Sequence, residues 1–272
     1  YRDSVFQITI LFLYIIAGAA LAGSRLVPVS RRSSTLAGMA LLCAATGIVW
    51  HGIVLINLIS PPDGLALSIG NTASFIGLQL ALIATIGAFE PTLRGFAGGL
   101  FLPAGLAALA TGYPADFAGT GPAAWQMQAH ILISLFAYGL LTVGAIVAVF
   151  SIVQERRLRA GRISTMNRMF APLETTEKLL FGIAGGGFVT LLLAVVSGFA
   201  FVDNLFARHL VHKTALSLLA LLLFGVLIAG RQFAGWRGQR AVYLYLWGFG
   251  VLCLAYFGTR FILENILGRS WS

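Results

Sequence analysis

Residues 130–159 read HILISLFAYGLLTVGAIVAVFSIVQERRLR, and this stretch decides the fold. Its residues 131–153 contain no Asp, Glu, Lys or Arg, and a basic run follows directly. As an α-helix rises about 1.5 Å per residue, an apolar run of this length crosses a hydrocarbon core of roughly 30 Å. The stretch therefore predicts a transmembrane helix whose basic end lies in the cytoplasm.

Similar apolar runs recur along the whole chain. With a mean hydropathy of +0.90 and only 10% charged residues, the composition excludes an ordinary soluble surface. The sequence predicts an all-α, polytopic transmembrane bundle of about eight helices, forming a single transmembrane domain over residues 1–272. The predicted helices span about 6–24, 35–59, 65–88, 95–111, 126–153, 177–201, 209–230 and 241–266.

The basic residues fix the predicted orientation. Arg2, Arg208, Lys213, Arg260 and Arg269 lie on one side of the predicted membrane, and the other 13 of the 18 lie on the opposite side. The positive-inside rule places these thirteen in the cytoplasm and both termini outside. The net charge of +9 thus reflects topology, so we expect the lipid bilayer and no nucleic acid as a partner. The thirteen are Arg25, Arg31, Arg32, Arg94, Arg156, Arg157, Arg159, Arg162, Arg168, Lys178, Arg231, Arg237 and Arg240.

The two cysteines restrict the chemistry. Cys43 and Cys253 both fall inside predicted spans, and the chain contains no CxxC or CxxCH motif. A disulfide framework, a thioredoxin-like redox site and a covalently attached c-type heme are therefore not expected. We interpret both thiols as packing residues.

The four histidines are the most informative polar residues. In the predicted topology His51, His130, His209 and His212 all lie in the outer third of the membrane. Ionisable groups at that depth indicate function, and neutral imidazoles at one depth are typical of a metal or heme site. We expect His51, His130 and His212 to be candidate ligands. The alternative is that the histidines satisfy helix-end hydrogen bonds or lie at the interface, and it is strongest for His209.

Further polar residues share the faces of two helices. On the fifth helix the spacing of four residues predicts a polar stripe that faces the bundle interior: His130, Ser134, Tyr138 and Thr142. Near the outer surface, Arg260 either pairs with Glu264 and reaches towards water, or joins Lys213 in binding carboxylates such as heme propionates.

The second half of the chain resembles the cytochrome c assembly membrane-protein superfamily (CcsA, CcmC, HemX), and within it the YpjD-type inner membrane proteins. The combination of H-x3-S-x3-Y, QERRLR, HK, GWRG-x-RA and AYFG is specific. These motifs lie in segments 130–159, 173–198, 212–241 and 248–267, about half of the chain. The first half resembles the family mainly in helix count and in His51.

For the synthase branch the resemblance implies heme handling on the outer face. His130 matches a family histidine at the start of its helix, and His212-Lys213 stands where the synthases end a tryptophan-rich motif. Here the preceding segment 199–211, FAFVDNLFARHLV, has no tryptophan, and no histidine follows the last helix. Heme attachment to cytochrome c is therefore not expected.

The sequence predicts a non-synthase member of the bacterial inner membrane that binds heme b near the outer face, with His51, His130 and His212 as ligands and Lys213 and Arg260 beside them. The alternative is a non-catalytic membrane scaffold or accessory subunit with a membrane or periplasmic protein partner. A solute permease is a weaker reading, because the two halves show no paired broken helices.

Overall fold

The structure is a computed structural model, which describes residues 2–27, 31–59, 67–113, 125–161, 171–201 and 211–258. Within these residues eight helices are long and apolar enough to cross a membrane, which confirms the all-α transmembrane fold. They are α1 Arg2–Leu26, α2 Arg31–Ile59, α3 Ile69–Ala88, α4 Arg94–Leu109, α5 Trp125–Arg159, α6 Leu173–Phe201, α7 Val211–Ala234 and α8 Gln239–Cys253.

The chain divides into two compact units. Unit 1 contains residues 1–122 and 153–176, and unit 2 contains residues 123–152 and 177–272. Unit 1 therefore holds α1 to α4, and unit 2 holds most of α5 and α6 together with α7 and α8. The single transmembrane domain and the outward orientation of both termini stay predictions.

Close helix packing in unit 1 depends on small residues. A Cβ atom added to Gly18 of α1 would lie 2.7 Å from the carbonyl oxygen of Gly98 in α4, and one added to Gly98 would lie 2.9 Å from that of Gly18. The two backbones are thus in contact. Such close approach is how membrane helices associate where lipid removes the hydrophobic driving force.

The connection between α7 and α8 is a short turn in unit 2. Gly235 and Gly238 adopt φ angles of 62° and 61°, a region that glycine enters without steric cost. Between them the chain folds Trp236 back, so that its backbone N–H donates to the Gly230 carbonyl at 3.0 Å. The Arg231 guanidinium donates to the Trp236 carbonyl at 3.2 Å, which fixes this end of the unit.

Most helix ends lie a few residues away from the predicted ones, and α3, α5 and α8 are examples. Helix α5 continues to Arg159 because the Gln154 amide donates to the Ala171 carbonyl at 2.7 Å and Glu155 pairs with Arg159 at 2.6 Å. Helix α3 begins at Ile69, where the Ser68 hydroxyl accepts the Asn71 N–H and caps the helix. Helix α8 passes into a π-helical turn at Leu254–Gly258.

Candidate functional site

The candidate site in unit 2 is built around His130. This residue lies in the second turn of α5 and is half-buried. Its Nδ1 atom lies 2.9 Å from the hydroxyl oxygen of Ser197, a buried residue near the end of α6. The two helices thus bring an imidazole and a hydroxyl together at one end of the unit.

The direction of this hydrogen bond follows from proton counting. The Ser197 hydroxyl has one proton, and it donates that proton to the Ala194 carbonyl at 2.9 Å. We assign Ser197 as the acceptor, because both of its contacts are then satisfied, and the neutral imidazole carries its proton on Nδ1. Its Nε2 atom then has a lone pair, the form in which histidine binds a metal ion.

Gly198 makes room for the His130 ring. A Cβ atom at this position would lie 3.0 Å from Cε1 of the imidazole, closer than ordinary van der Waals contact. The Ser197-Gly198 pair on α6 therefore supplies both the acceptor and the space. The sequence prediction did not single out either residue, although a hydroxyl beside a glycine near the outer end of α6 matches His130 in predicted depth.

A cation and two aromatic rings lie in the same unit. The Lys213 ammonium of α7 lies 5.3 Å from the centre of the Tyr256 ring, which it faces, and interacts electrostatically with His130. The Tyr256 ring lies 5.7 Å from that of Tyr138, whose hydroxyl donates to the Leu252 carbonyl at 3.0 Å. The site thus combines one imidazole, one ammonium group and two phenol rings.

The structure places the other predicted residues of unit 2 as follows. His212 lies in the first turn of α7, next to Lys213, and its side chain is exposed. Arg260, its predicted partner Glu264 and His209 lie outside the described residues. On the predicted polar stripe, Ser134 and Thr142 are half-buried and donate to carbonyls of their own helix.

His51 belongs to unit 1 and is fully buried. Its Nδ1 atom lies 3.2 Å from the Tyr14 hydroxyl of α1, and its Nε2 atom lies 2.8 Å from the Ser74 hydroxyl of α3. The Ser74 hydroxyl in turn lies 2.6 Å from that of Thr111, just after α4. One hydrogen-bonded chain thus links α1, α2, α3 and the end of α4.

The chain runs in one direction. One assignment satisfies all of these contacts at once: the Thr111 hydroxyl donates to the Ala108 carbonyl at 2.7 Å, and Ser74 donates to Thr111. Ser74 then accepts from the Nε2–H of His51, and Nδ1 of the same ring accepts from Tyr14. Both ring nitrogens are used, so a metal ion would have to displace one of these bonds to reach His51.

Metal-binding residues are sparse. Among the residues that the structure describes, no group of three or more His, Cys, Asp or Glu side chains could hold a metal ion. A dedicated all-protein ion site of the zinc type therefore does not fit these residues. Heme iron needs only one or two protein ligands, since the macrocycle fills the other positions, and the donor set around His130 fits that requirement.

Comparisons with known proteins agree on one family. The family model described as cytochrome C assembly protein matches residues 8–267. The inner membrane protein YpjD of Escherichia coli strain K12 is 32% identical over 84% of this chain and 88% of its own length. A 28.8 kDa protein of Azospirillum brasilense is 29% identical over 55% of this chain and 56% of its own. The cytochrome c biogenesis protein CcsA of Guillardia theta is 23% identical over 54% of each chain. No solved structure matches the chain.

Proposed function

The chain belongs to the cytochrome c assembly protein family and is a multi-pass protein of the inner membrane, and on this basis we propose that it binds one heme b without covalent attachment. The proposed site lies in unit 2, at the end where α5 begins. In the predicted orientation this end faces outward. The absence of CxxCH supports non-covalent binding, because thioether links require that motif.

The observation that carries the proposal is the pair of contacts that Ser197 makes with His130 and with the Ala194 carbonyl. Both contacts are satisfied when Ser197 donates to Ala194 and accepts from Nδ1–H of His130, which leaves Nε2 with its lone pair. Ligating histidines are held in this way, with the second ring nitrogen donating to an oxygen of the protein. His130 is therefore the residue that would hold the heme iron first.

His212 is the proposed second ligand, and it follows Val211 at the start of the same helix that carries Lys213. The Lys213 ammonium and Arg260 are proposed to bind the heme carboxylates, because charge-assisted hydrogen bonds between cations and carboxylates are strong. When bound, heme supplies a redox-active iron centre. The residues of this chain bind and orient the group, and they fix the protonation state of the ligating imidazole.

His51 lies in unit 1 and ranks behind these residues as a candidate heme ligand. Its ring would first have to give up the hydrogen bond with Tyr14 or the one with Ser74. Losing a hydrogen bond to a fully buried polar group costs about 1–3 kcal/mol, which ranks His51 behind His130.

The satisfied chain around His51 favours a second candidate function, a membrane scaffold or accessory subunit that binds a membrane or periplasmic protein. A histidine that is hydrogen-bonded at both nitrogens stabilises unit 1 without any cofactor. In that case the histidines would contribute to the stability of the bundle alone.

The two candidates are separated by an optical spectrum of the protein purified in detergent after expression with heme supplied. We expect a Soret band, acid-acetone extraction that removes the pigment from the polypeptide, and loss of the band in His130→Ala and in His212→Ala. His209→Ala is the matched control and should keep the band. A wild-type protein without heme, or a band that survives both substitutions, would favour the scaffold.

A further inference from the structure

The last described segment of the chain is a π-helical turn. Residues Leu254–Gly258 leave the α-helical path that α8 follows up to Cys253. Single π turns inside α-helices occur often at functional sites, because the wider turn changes the direction of the side chains that follow. Here the turn carries Tyr256.

Aromatic and polar contacts hold the π turn in place. The Tyr138 hydroxyl donates to the carbonyl of Leu252, two residues before the turn, at 3.0 Å. The Tyr256 ring packs on the Tyr138 ring at 5.7 Å and edge-on against Phe257 at 5.0 Å. Because Tyr138 is buried, the Tyr256 ring packs on the interior of unit 2.

The face of Tyr256 carries the Lys213 ammonium, 5.3 Å from the ring centre. A lysine side chain has several rotatable bonds, and a cation held over an aromatic face loses much of that freedom. The same ammonium group interacts electrostatically with His130. Through Tyr256, the π turn thus determines where the Lys213 ammonium lies relative to the His130 imidazole.

We propose that Tyr256 is a positioning residue that holds Lys213 as the anchor for a carboxylate of the ligand bound at His130. The inference rests on the proposed function and deepens it, because it makes the acidic side chains of the porphyrin a requirement for tight binding. An ammonium group binds a carboxylate as a point charge, so its position decides which end of the ligand enters the site.

The positioning is tested without any ligand. Lys178 and Lys213 are the only lysines of the chain, so reductive ¹³C-methylation, which keeps their charge, gives two lysine signals in the NMR spectrum besides that of the terminal amine. We expect the ring current to shift the Lys213 signal upfield in the wild type and in Tyr256→Phe. In Tyr256→Leu this signal should move towards that of an unstructured lysine, while the Lys178 signal stays. A Lys213 signal without an upfield shift in the wild type would overturn the positioning.

The anchoring is tested by comparing hemin with hemin dimethyl ester, which lacks both carboxylates. We expect the wild type and Lys178→Met to bind hemin about tenfold more tightly than the ester, a ratio typical of one well-placed charged contact. Lys213→Met and Tyr256→Leu should lose most of this preference for hemin over the ester, and the remainder is due to Arg260. Equal wild-type affinities would overturn the anchoring and leave heme binding intact. If the wild type binds neither porphyrin, both proposals fail.

Discussion

Replacing Ser74 by alanine tests the one-way hydrogen-bonded chain of unit 1. The substitution removes the acceptor of the His51 Nε2–H, a contact of 2.8 Å, and the donor to Thr111, a contact of 2.6 Å. His51 and Ser74 are both fully buried, so bulk water does not reach either side chain. Nε2 of the buried imidazole is left without its partner, whichever nitrogen carries the proton.

The expected loss of stability follows from these contacts. A buried donor without an acceptor costs about 1–3 kcal/mol, while side-chain hydrogen bonds in membrane proteins average about 0.6 kcal/mol and reach about 1.7. We expect Ser74→Ala to lower the free energy of unfolding by about 1–3 kcal/mol. Tyr14→Phe should cost less, because its contact is longer, 3.2 Å, and leaves only an acceptor unsatisfied.

The assay is reversible unfolding in mixed detergent micelles, followed by the fluorescence of Trp50, the only tryptophan of unit 1, in a background whose other four tryptophans are replaced by phenylalanine. Thr46→Ala is the matched control. It also removes a hydroxyl hydrogen bond, but one that is exposed and lies within α2. The reasoning is refuted if Ser74→Ala is no less stable than Thr46→Ala, or if Tyr14→Phe costs more than Ser74→Ala.

Three further predictions concern helix packing, the His130 site and topology. Gly98→Ala should destabilise unit 1 by about 1–3 kcal/mol, because its Cβ would clash with the Gly18 carbonyl. Gly38→Ala is the control and should leave the stability unchanged, because the space around its Cβ is open, and equal unfolding curves for the two variants would contradict the prediction. Ser197→Ala should weaken heme binding about 10- to 100-fold in a hemin titration, because the His130 ring can then change its protonation pattern. Gly198→Ala should weaken heme binding because its methyl group crowds the His130 ring. Unchanged affinity in both variants would contradict the roles assigned to Ser197 and Gly198. Single-cysteine labelling in a background without Cys43 and Cys253 should find residues 160–170 cytoplasmic and 113–122 external, and labelling of 160–170 from outside intact cells would overturn the topology.

The fold could be predicted from the sequence because lipid imposes a simple rule. Each span must be long, apolar and helical, and runs such as 131–153 leave no alternative. Helix ends were harder to place, because hydrogen bonds between distant residues decide them. Gln154 reaches Ala171 across a loop and extends α5, a contact that no local pattern indicates.

The candidate site was only partly accessible from sequence. Spacing and predicted depth drew attention to His51 and His130 alike, since both are imidazoles inside a span. The partners that distinguish them come from other helices: Tyr14 and Ser74 occupy both nitrogens of His51, whereas Ser197 occupies Nδ1 of His130. Serine in a membrane helix is too common to be identified as a partner before the helices are packed.

If Nε2 of His130 ligates heme iron, free imidazole should replace the side chain in a variant that lacks it. His130→Gly removes the imidazole and leaves Ser197 and Lys213 in place. We expect the Soret band to be lost in His130→Gly and to return when free imidazole is added. A band that His130→Gly retains without imidazole would contradict ligation by His130.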